Sequence, residues 1–373
     1  MIFGRVIVTV APMAPSEGPP DSKPFRILSV DGGGIRGLIS VLVLEEIEKR
    51  LGEKLKRTVR IADFFHLFAG TSTGGLIALS LTSPKGLSAT DLASFYTEDG
   101  PKIFSRGIGR KLTTLWGLAG PKYSSTPLRE AVERRLGTSM VSEATRDLMV
   151  TSYDMNGSEP YFFKRWRALE DPQQRDFPIA DAALSTAAAP TYFPSHGLDG
   201  RALVDGGVFA GNPTIAAVAE ALGRQSDPPA GLQPHDLFVV SIGTGEFDSG
   251  FEQGQVSGWG DIAWVAAGGN GPPILDAMLG GSSDGTDYWA HMLLNHTPGA
   301  APPQQDAIGH GPRYFRLQAE LPEPITMDDA SREILTVKLP EAAARLIHER
   351  DGELDAIVER LVDVPPGAGA HRP

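Results

Sequence analysis

The sequence predicts an α/β protein built on a mostly parallel sheet. Two segments share the order strand, glycine-containing turn and helix, one passing through Asp31–Gly37 and the other through Gly70–Gly74. A third apolar run, Leu237–Ile242, has the composition of a strand buried on both faces. Strands that alternate with helices are typical of parallel sheets.

The first unit begins with the apolar run Phe25–Val30, which predicts a strand that leads into the glycine turn. After the turn, residues 38–51 have apolar side chains at the spacing of one helix face, among them Val41 and Leu44. Gly52 predicts the end of this helix, because glycine is favoured just after a helix C-terminus.

The second unit runs from the apolar segment Asp63–Ala69 through the turn into a helix that contains Gly75–Leu79. The alternation then continues with predicted strands at Leu148–Tyr153, Tyr161–Trp166 and Ala202–Val204, and with predicted helices at residues 178–189, at residues 212–222 and, as a pair, within residues 327–362.

No internal repeat and no second core is evident, so the economical organisation is one domain over residues 25–364. Residues 1–24 and 365–373 have the composition of a disordered leader and a disordered tail. Residues 246–312 are rich in Gly and Pro and are expected to form a long, partly irregular excursion. The leader has one basic residue before a short apolar run, which does not predict a signal peptide, and we expect a cytoplasmic protein, with secretion as the alternative.

Composition excludes several classes of protein. The chain has 373 residues, of which 41% are hydrophobic, and no apolar run reaches the ~18 to 20 residues that a membrane span needs. It has no cysteine, which excludes disulfides, a thiolate nucleophile and cysteine-ligated metals. The formal net charge of −12 argues against binding of nucleic acid and against strong attraction to an anionic membrane, whereas neutral lipids are compatible with it.

Ser72 is the candidate nucleophile. It occupies the centre of a G-x-S-x-G pattern, between Gly70 and Gly74, where a strand turns sharply into a helix. Small neighbours allow the tight backbone conformation that projects the serine hydroxyl away from the sheet. The N-terminus of the helix places free N–H groups and partial positive charge beside that oxygen.

The glycine turn has three interpretations. Gly32, Gly34 and Gly37 match the G-x-G-x-x-G spacing of dinucleotide-binding proteins, but the acidic residue at the required distance, Glu53, lies in a charged turn. Alternatively, the backbone N–H groups of Gly32, Gly33 and Gly34 converge on a developing negative charge as an oxyanion hole. A turn that serves only to pack a helix on the sheet is the third interpretation.

Asp205, in Val204-Asp205-Gly206-Gly207, is the candidate general base. Asp-Gly is also a common turn dipeptide, so the residue by itself is ambiguous. The combination is more specific, because the ends of parallel strands gather at one edge of a sheet, where a carboxylate can take the proton of Ser72. We expect this carboxyl to lie in a poorly solvated pocket that raises its proton affinity.

Four histidines follow Asp205 in the chain, as a Ser, Asp, His triad would require: His235, His291, His296 and His310. None lies in a motif with a defined turn geometry. Structural or surface roles are therefore the favoured interpretation, and a full triad is the alternative.

The motifs together resemble those of the patatin-like phospholipases. The resemblance rests on Asp31–Gly37, Gly70–Gly74 and Asp205–Gly207, in that order. Further stretches resemble plant patatins in the same order, namely Gly100–Phe104, Gly120–Tyr123, Ser185–Pro194, Ser241–Gly245 and Met327–Ser331. One departure is Gly207, where plant patatins commonly have alanine.

What the resemblance implies is a lipid acyl hydrolase, a phospholipase A or esterase that works through an acyl-enzyme and needs neither metal nor cofactor. Ser72 and Asp205 would form its Ser–Asp catalytic dyad. The implied fold has three α/β/α layers, a modified α/β-hydrolase with a central mostly parallel sheet. The backbone groups expected in the oxyanion hole are those of Gly32, Gly33, Gly34 and Thr73.

The expected partners are a lipid substrate and, transiently, a membrane or micelle surface; the oligomeric state is not predicted. Arg36 is a candidate contact for a lipid head group, with a plain helix-start role as the alternative. Residues 106–122 carry an apolar stripe with basic flanks that either rests on a lipid interface or packs on the core. The stripe consists of Ile108, Leu112, Leu115, Trp116 and Leu118.

Two functions from other classes remain open. A nucleotide-binding or redox protein would use the Gly32–Gly37 turn. A storage or scaffold protein would keep the same fold without catalysis.

Overall fold

The protein is described from a computed structural model. The described residues are 24–105, 120–224, 231–247, 253–260, 263–264, 273–297, 300–301, 303–304 and 307–363. The expected tail, all but the last residue of the expected leader, and the five apolar residues of the 106–122 stripe lie outside these ranges.

The described residues contain one eight-stranded sheet, in the order β5-β6-β3-β2-β1-β7-β8, with β4 paired to β3. In chain order the strands are β1 (Phe25–Val30), β2 (Leu67–Gly70), β3 (Asp147–Asp154), β4 (Glu159–Lys164), β5 (His196–Leu198), β6 (Arg201–Asp205), β7 (Leu237–Ile242) and β8 (Tyr314–Leu317). The strands predicted at Phe25–Val30 and Leu237–Ile242 are confirmed with the same bounds.

The centre of the sheet is parallel and one margin is antiparallel. Strands β3, β2, β1, β7 and β8 pair in parallel, whereas β4 and β6 run antiparallel to β3. The central parallel strands are buried along their whole length, as the apolar runs of the sequence indicate.

Thirteen α-helices occur in the described residues. They are α1 (Gly37–Leu55), α2 (Thr73–Thr82), α3 (Ala89–Ser94), α4 (Gly100–Ile103), α5 (Thr126–Leu136), α6 (Arg165–Glu170), α7 (Pro172–Arg175), α8 (Ile179–Thr186), α9 (Thr214–Gly223), α10 (Gln253–Val256), α11 (Pro273–Leu294), α12 (Leu339–Glu349) and α13 (Asp351–Val362). None of these helices has both the length and the apolar character needed to cross a bilayer.

The helices cover both faces of the sheet, which gives three layers. Side chains of α1, α2, α12 and α13 form one apolar cluster with residues such as Leu28 and Phe68 of the sheet. Side chains of α9 and α11 form a second cluster with Ile27 and Leu67. Neighbouring residues of one strand belong to different clusters because side chains alternate between the two faces of a sheet. The predicted α/β/α fold class is confirmed.

Two details of the sequence prediction are wrong. Helix α1 continues one turn past Gly52 and ends at Leu55, where Lys56 adopts a left-handed conformation with φ 53°. The excursion over residues 246–312, predicted to be partly irregular, contains a 22-residue helix, α11, that the sequence did not predict. Its glycines lower helix propensity, but Thr286, Ala290 and Leu294 are buried on one side of it, and tertiary packing outweighs propensity.

Candidate active site

Ser72 lies in a strained turn between β2 and α2. Its φ of 55° is a left-handed value that non-glycine residues rarely adopt. A side chain at Gly70 would overlap the carbonyl of Gly74, and a side chain at Gly74 would overlap the carbonyl of Val30. The two glycines are therefore required for the chain to turn this tightly.

Hydrogen bonds from other elements hold this turn. The backbone N–H of Ser72 donates to the Thr186 hydroxyl at 2.8 Å. The neighbouring Thr71 hydroxyl is 2.7 Å from the hydroxyl of Thr151 and donates to the carbonyl of Ala210 at 2.6 Å. The strained conformation is thus fixed by the strand next to β2 and by the chain that follows Asp205.

Strand pairing brings Asp205 to Ser72. Gly70, at the end of β2, pairs with Val150 of β3, and Asp205, at the end of β6, pairs with Ser152 of β3. Because β4 occupies the other edge of β3 at these residues, β2 and β6 share one edge and approach end to end. The expectation that Asp205 ends a parallel strand is wrong, since β6 is antiparallel, but the two carboxyl ends still meet.

The Asp205 carboxyl is buried, with 5% of the residue exposed. Its Oδ1 accepts a hydrogen bond from the N–H of Gly207 at 2.8 Å. Ser72 and Asp205 line the same cavity.

Burial raises the pKa of Asp205 to about 6, although the hydrogen bonds from Ser72 and Gly207 favour the charged form. A carboxyl with this pKa is largely ionised at neutral pH and is a stronger base than a solvated aspartate. It lies beside a hydroxyl whose proton it can accept.

The glycine turn faces Ser72 from the end of β1, and one of its predicted roles needs correction. The N–H of Gly32 donates to the carbonyl of Gly211 at 2.9 Å, so this group is not available to an oxyanion. Among the described residues, the backbone N–H groups of Gly33, Gly34 and Thr73 have no protein acceptor. Gly33, Gly34 and Thr73 line the same cavity as Ser72.

Close contacts fix the shape of the glycine turn. Gly34 has φ +60°, and a side chain there would overlap the backbone carbonyl of Met327. That carbonyl accepts a hydrogen bond from the N–H of Ile35 at 2.8 Å. On the other side, the Thr244 hydroxyl donates to the carbonyl of Gly32 at 2.7 Å.

A buried ion pair that the sequence did not reveal lies behind the turn. Nη2 of Arg316, on β8, donates to Oδ2 of Asp31 at 2.6 Å and to the hydroxyl of Ser283 at 3.1 Å. Nη1 of the same residue donates to the hydroxyl of Ser241 at 2.9 Å. Asp31 begins the glycine motif and Ser283 lies on α11, so this cluster ties the turn to β8 and α11.

An apolar cavity opens in front of Ser72 and Asp205. Its apolar walls include Leu76, Phe95, Ile103, Phe104, Leu128, Tyr192, Phe193, Met278, Leu279 and Met327. A long apolar chain can lie against these side chains with its reacting end beside the serine.

Several cavity residues belong to stretches that had carried only a resemblance. Gly100–Phe104, Ser185–Pro194 and Met327–Ser331 each contribute to the wall. In the sequence, only the resemblance of these stretches to plant patatins indicated that they lie at the site. Leu279 and Met278 had no such signal, because they lie on the helix that the sequence did not predict.

Other candidate residues lie elsewhere. Arg36 is half-buried at the end of the short 3₁₀ helix Gly34–Arg36 and is not among the residues that line the cavity. No histidine is among the described residues of the cavity wall. His291 accepts a hydrogen bond from the N–H of Gly309, and His310 is 2.9 Å from the carboxylate of Glu353.

The requirement of the dinucleotide interpretation is not met. The acidic residue at the right distance, Glu53, is exposed in the last turn of α1 rather than at the end of a strand. The Gly32–Gly34 turn faces the apolar cavity that Ser72 also lines.

Comparison with known proteins agrees with this geometry. A family model described as patatin-like phospholipase matches residues 28–218. Patatin-like protein 2 of Arabidopsis thaliana is 33% identical over 355 residues, covering 88% of this chain and 83% of that protein. Patatin-like protein 1 of the same plant is 36% identical over 296 residues, covering 72% and 70%. Patatin of Solanum tuberosum is 32% identical over 292 residues, covering 72% of each chain. The chain therefore belongs to the patatin-like phospholipase family.

Proposed function

We propose that this protein is a lipid acyl hydrolase, a phospholipase A or esterase that cleaves carboxylic ester bonds with Ser72 as nucleophile and Asp205 as base. The observation that carries the proposal is that Ser72 and the buried carboxyl of Asp205 line the same apolar cavity. Family membership supports the substrate class.

In the first step, Asp205 accepts the Ser72 proton while the serine oxygen attacks the ester carbonyl. The carbonyl oxygen becomes negative in the tetrahedral intermediate. The N–H groups of Gly33, Gly34 and Thr73 are the donors available to it, and loss of one such donor typically costs about 10²–10³-fold in rate.

The intermediate collapses when the bond to the leaving alcohol breaks, and protonated Asp205 gives its proton to that oxygen. Ser72 then carries the acyl group. Asp205, ionised again, takes a proton from a water molecule that attacks the acyl-enzyme. The serine leaves with that proton, the fatty acid is released and both residues return to their starting states.

The cavity supports a long acyl chain as the group retained on the serine. Its wall is almost entirely apolar, and burial of a methylene group contributes about 0.8 kcal/mol. Lipid esters carry such chains, and their polar head groups can stay outside.

The experiment is hydrolysis of a short-chain p-nitrophenyl ester by purified protein. We expect activity in the wild type, and losses of at least about 10³-fold in Ser72→Ala and in Asp205→Asn, since each removes a part of the dyad. His235→Ala, His291→Ala, His296→Ala and His310→Ala serve as controls and should retain most activity.

An inactive wild type would favour a storage or scaffold protein with the same fold. Loss of activity in one of the histidine variants, with the fold retained, would replace the dyad by a triad. Release of a bound nucleotide from the purified protein would instead favour the dinucleotide interpretation.

A further inference from the structure

One helix carries most of the large apolar side chains that the described surface exposes. Of the eight such residues, five lie on α11 and are 40–58% exposed. We call them the α11 face: Ile274, Met278, Tyr288, Trp289 and Leu293. The other three, Met155, Leu169 and Val337, are far apart in the chain, and Met155 lies in the turn between β3 and β4. Such concentration is unusual, because exposed apolar residues are normally scattered.

The helical spacing places these side chains on one side of the helix. Ile274 and Met278 are four residues apart, as are Trp289 and Leu293. Between the two pairs, Gly281 has open space where a side chain would be. The opposite side of α11 is the buried side, with Thr286, Ala290 and Leu294.

The α11 face continues into the active-site cavity. Met278 lines the cavity and is also 40% exposed, so it lies at the opening. The next residue, Leu279, lines the cavity too and packs closely on Gly207, two residues after Asp205. Met278 and Leu279 thus join one end of the α11 face to the cavity wall, whereas Trp289 lies towards the other end of the helix.

Hydrogen bonds fix this helix to the site. The N–H of Gly211 donates to the Ser282 hydroxyl at 3.1 Å. The Ser283 hydroxyl donates to the carboxylate of Asp31 at 3.2 Å. The exposed side thus has a set position relative to the cavity.

The charges of α11 restrict what this face can meet. The helix has no Lys or Arg, and it exposes the acidic side chain of Asp284. Docking on an anionic lipid surface relies on basic residues at the contact, and α11 has none. Tryptophan and tyrosine, in contrast, are favoured at the boundary between head groups and acyl chains because of their amphipathic rings.

We propose that the α11 face is the surface by which the protein docks on a neutral lipid aggregate, one with zwitterionic or uncharged head groups, so that the lipid enters the cavity past Met278. This inference rests on the proposed function for the identity of the substrate. It does not require that the substrate be a phospholipid rather than another acyl lipid.

The test is binding to phosphatidylcholine vesicles by flotation, with Ser72→Ala as the starting protein so that the vesicles stay intact. We expect the added pair Trp289→Gln and Leu293→Gln to lower the partition coefficient at least about tenfold, because two large apolar side chains no longer enter the interface. The matched control pair, Met155→Gln and Leu169→Gln, removes equally exposed apolar side chains elsewhere and should leave binding unchanged.

Equal binding by the two double variants would overturn the proposal. So would a dimer of the wild type that Trp289→Gln and Leu293→Gln dissociate without loss of vesicle binding, since the face would then join two copies of the chain. Should the double variant not fold, hydrogen exchange of the unsubstituted protein decides the matter: vesicles should slow exchange in residues 273–294, and no slowing there would contradict the docking surface.

The same data separate this inference from the proposed function. Hydrolysis of a monomeric short-chain ester needs Ser72 but not Trp289 or Leu293, which do not line the cavity. If the wild type hydrolyses no ester while flotation depends on Trp289, the proposed function fails and the docking surface stands. If ester hydrolysis depends on Ser72 while flotation is insensitive to Trp289, the proposed function stands and the docking surface fails.

Discussion

At Asp205, burial raises the pKa of the carboxyl to about 6, and the hydrogen bonds from Ser72 and Gly207 only partly offset that effect. The raised pKa makes the carboxylate a better base, and it also means that the ionised form is less stable in the folded protein than in the unfolded chain. The proposed catalytic role and a cost in stability therefore have one physical cause.

The stability cost predicts a pH-dependent effect of Asp205→Asn. Between the ordinary pKa of 3.8 and about 6, the folded protein binds more protons at this site than the unfolded chain, so this site's contribution to stability falls as pH rises through that range. Asparagine does not ionise, so the variant does not lose stability at this site as pH rises. We expect it to be more stable than the wild type by up to about 3 kcal/mol at pH 7, with the difference shrinking towards pH 4.

Urea unfolding at several pH values measures this difference. The control is Glu53→Gln, which neutralises an exposed carboxylate and should change the free energy of unfolding by less than about 0.5 kcal/mol. A wild type more stable than Asp205→Asn at pH 7 would show that the carboxylate is not held at a cost.

The hydrolytic rate should follow the ionisation of the Asp205 carboxyl. In the proposed mechanism Asp205 acts as a base only when it is deprotonated, so kcat/KM for the ester should fall as pH drops through about 6.

At the level of single elements, contacts on both sides hold the glycine turn that is proposed to form the oxyanion hole. Its shape is set by the Met327 carbonyl on one side and by Thr244 on the other. Donors fixed in advance stabilise a developing charge without rearrangement, which is the condition for an effective oxyanion hole.

Gly34→Ala tests this element. The new side chain would overlap the Met327 carbonyl, so the turn must shift, and we expect kcat to fall about 10²–10³-fold. Gly200→Ala is the matched control: Gly200 also has a positive φ, of +73°, but has open space around it. The control should cost about 1 kcal/mol in stability and leave kcat unchanged.

Steady-state kinetics with the short-chain ester, together with thermal unfolding, separates the two variants. Full activity in Gly34→Ala would remove Gly34 from the oxyanion hole. An equal loss in both variants would point to backbone strain alone.

At the scale of the whole molecule, the net charge of −12 acts on every approach to a lipid surface. The negative net charge of the protein repels an anionic lipid aggregate. At 0.1 M salt this repulsion is largely screened beyond about 10 Å. The apolar docking proposed for α11 has no basic residues to counter the repulsion.

Addition of anionic lipid to neutral vesicles should therefore slow hydrolysis at low salt, and added salt should restore part of the rate. Fatty-acid release from the vesicles measures the effect, and hydrolysis of an uncharged monomeric ester under the same conditions is the control. Faster hydrolysis on the anionic vesicles would show that a local basic contact outweighs the overall charge.

Much of the site was predictable because its motifs are local. The Gly70–Gly74 turn, the glycine turn before α1 and the buried strands depend on neighbouring residues. Ser72, Gly33 and Gly34, which the sequence predicted as site residues, line one cavity. The engagement of the Gly32 N–H with Gly211 could not be predicted, because the two residues are far apart in the chain.

The same physical reason separates what the chain's residues establish from what folding adds. Local backbone preference and apolar periodicity depend on residues that are close together in the chain. They therefore specify the α/β class, the serine turn and the alternation of strands with helices. The meeting of β2 and β6 along one edge of β3, the Asp31–Arg316 ion pair and the position of α11 depend on long-range contacts that consecutive residues do not encode. Those contacts decided that Asp205 reaches Ser72 from an antiparallel strand and that an apolar helix face continues into the cavity.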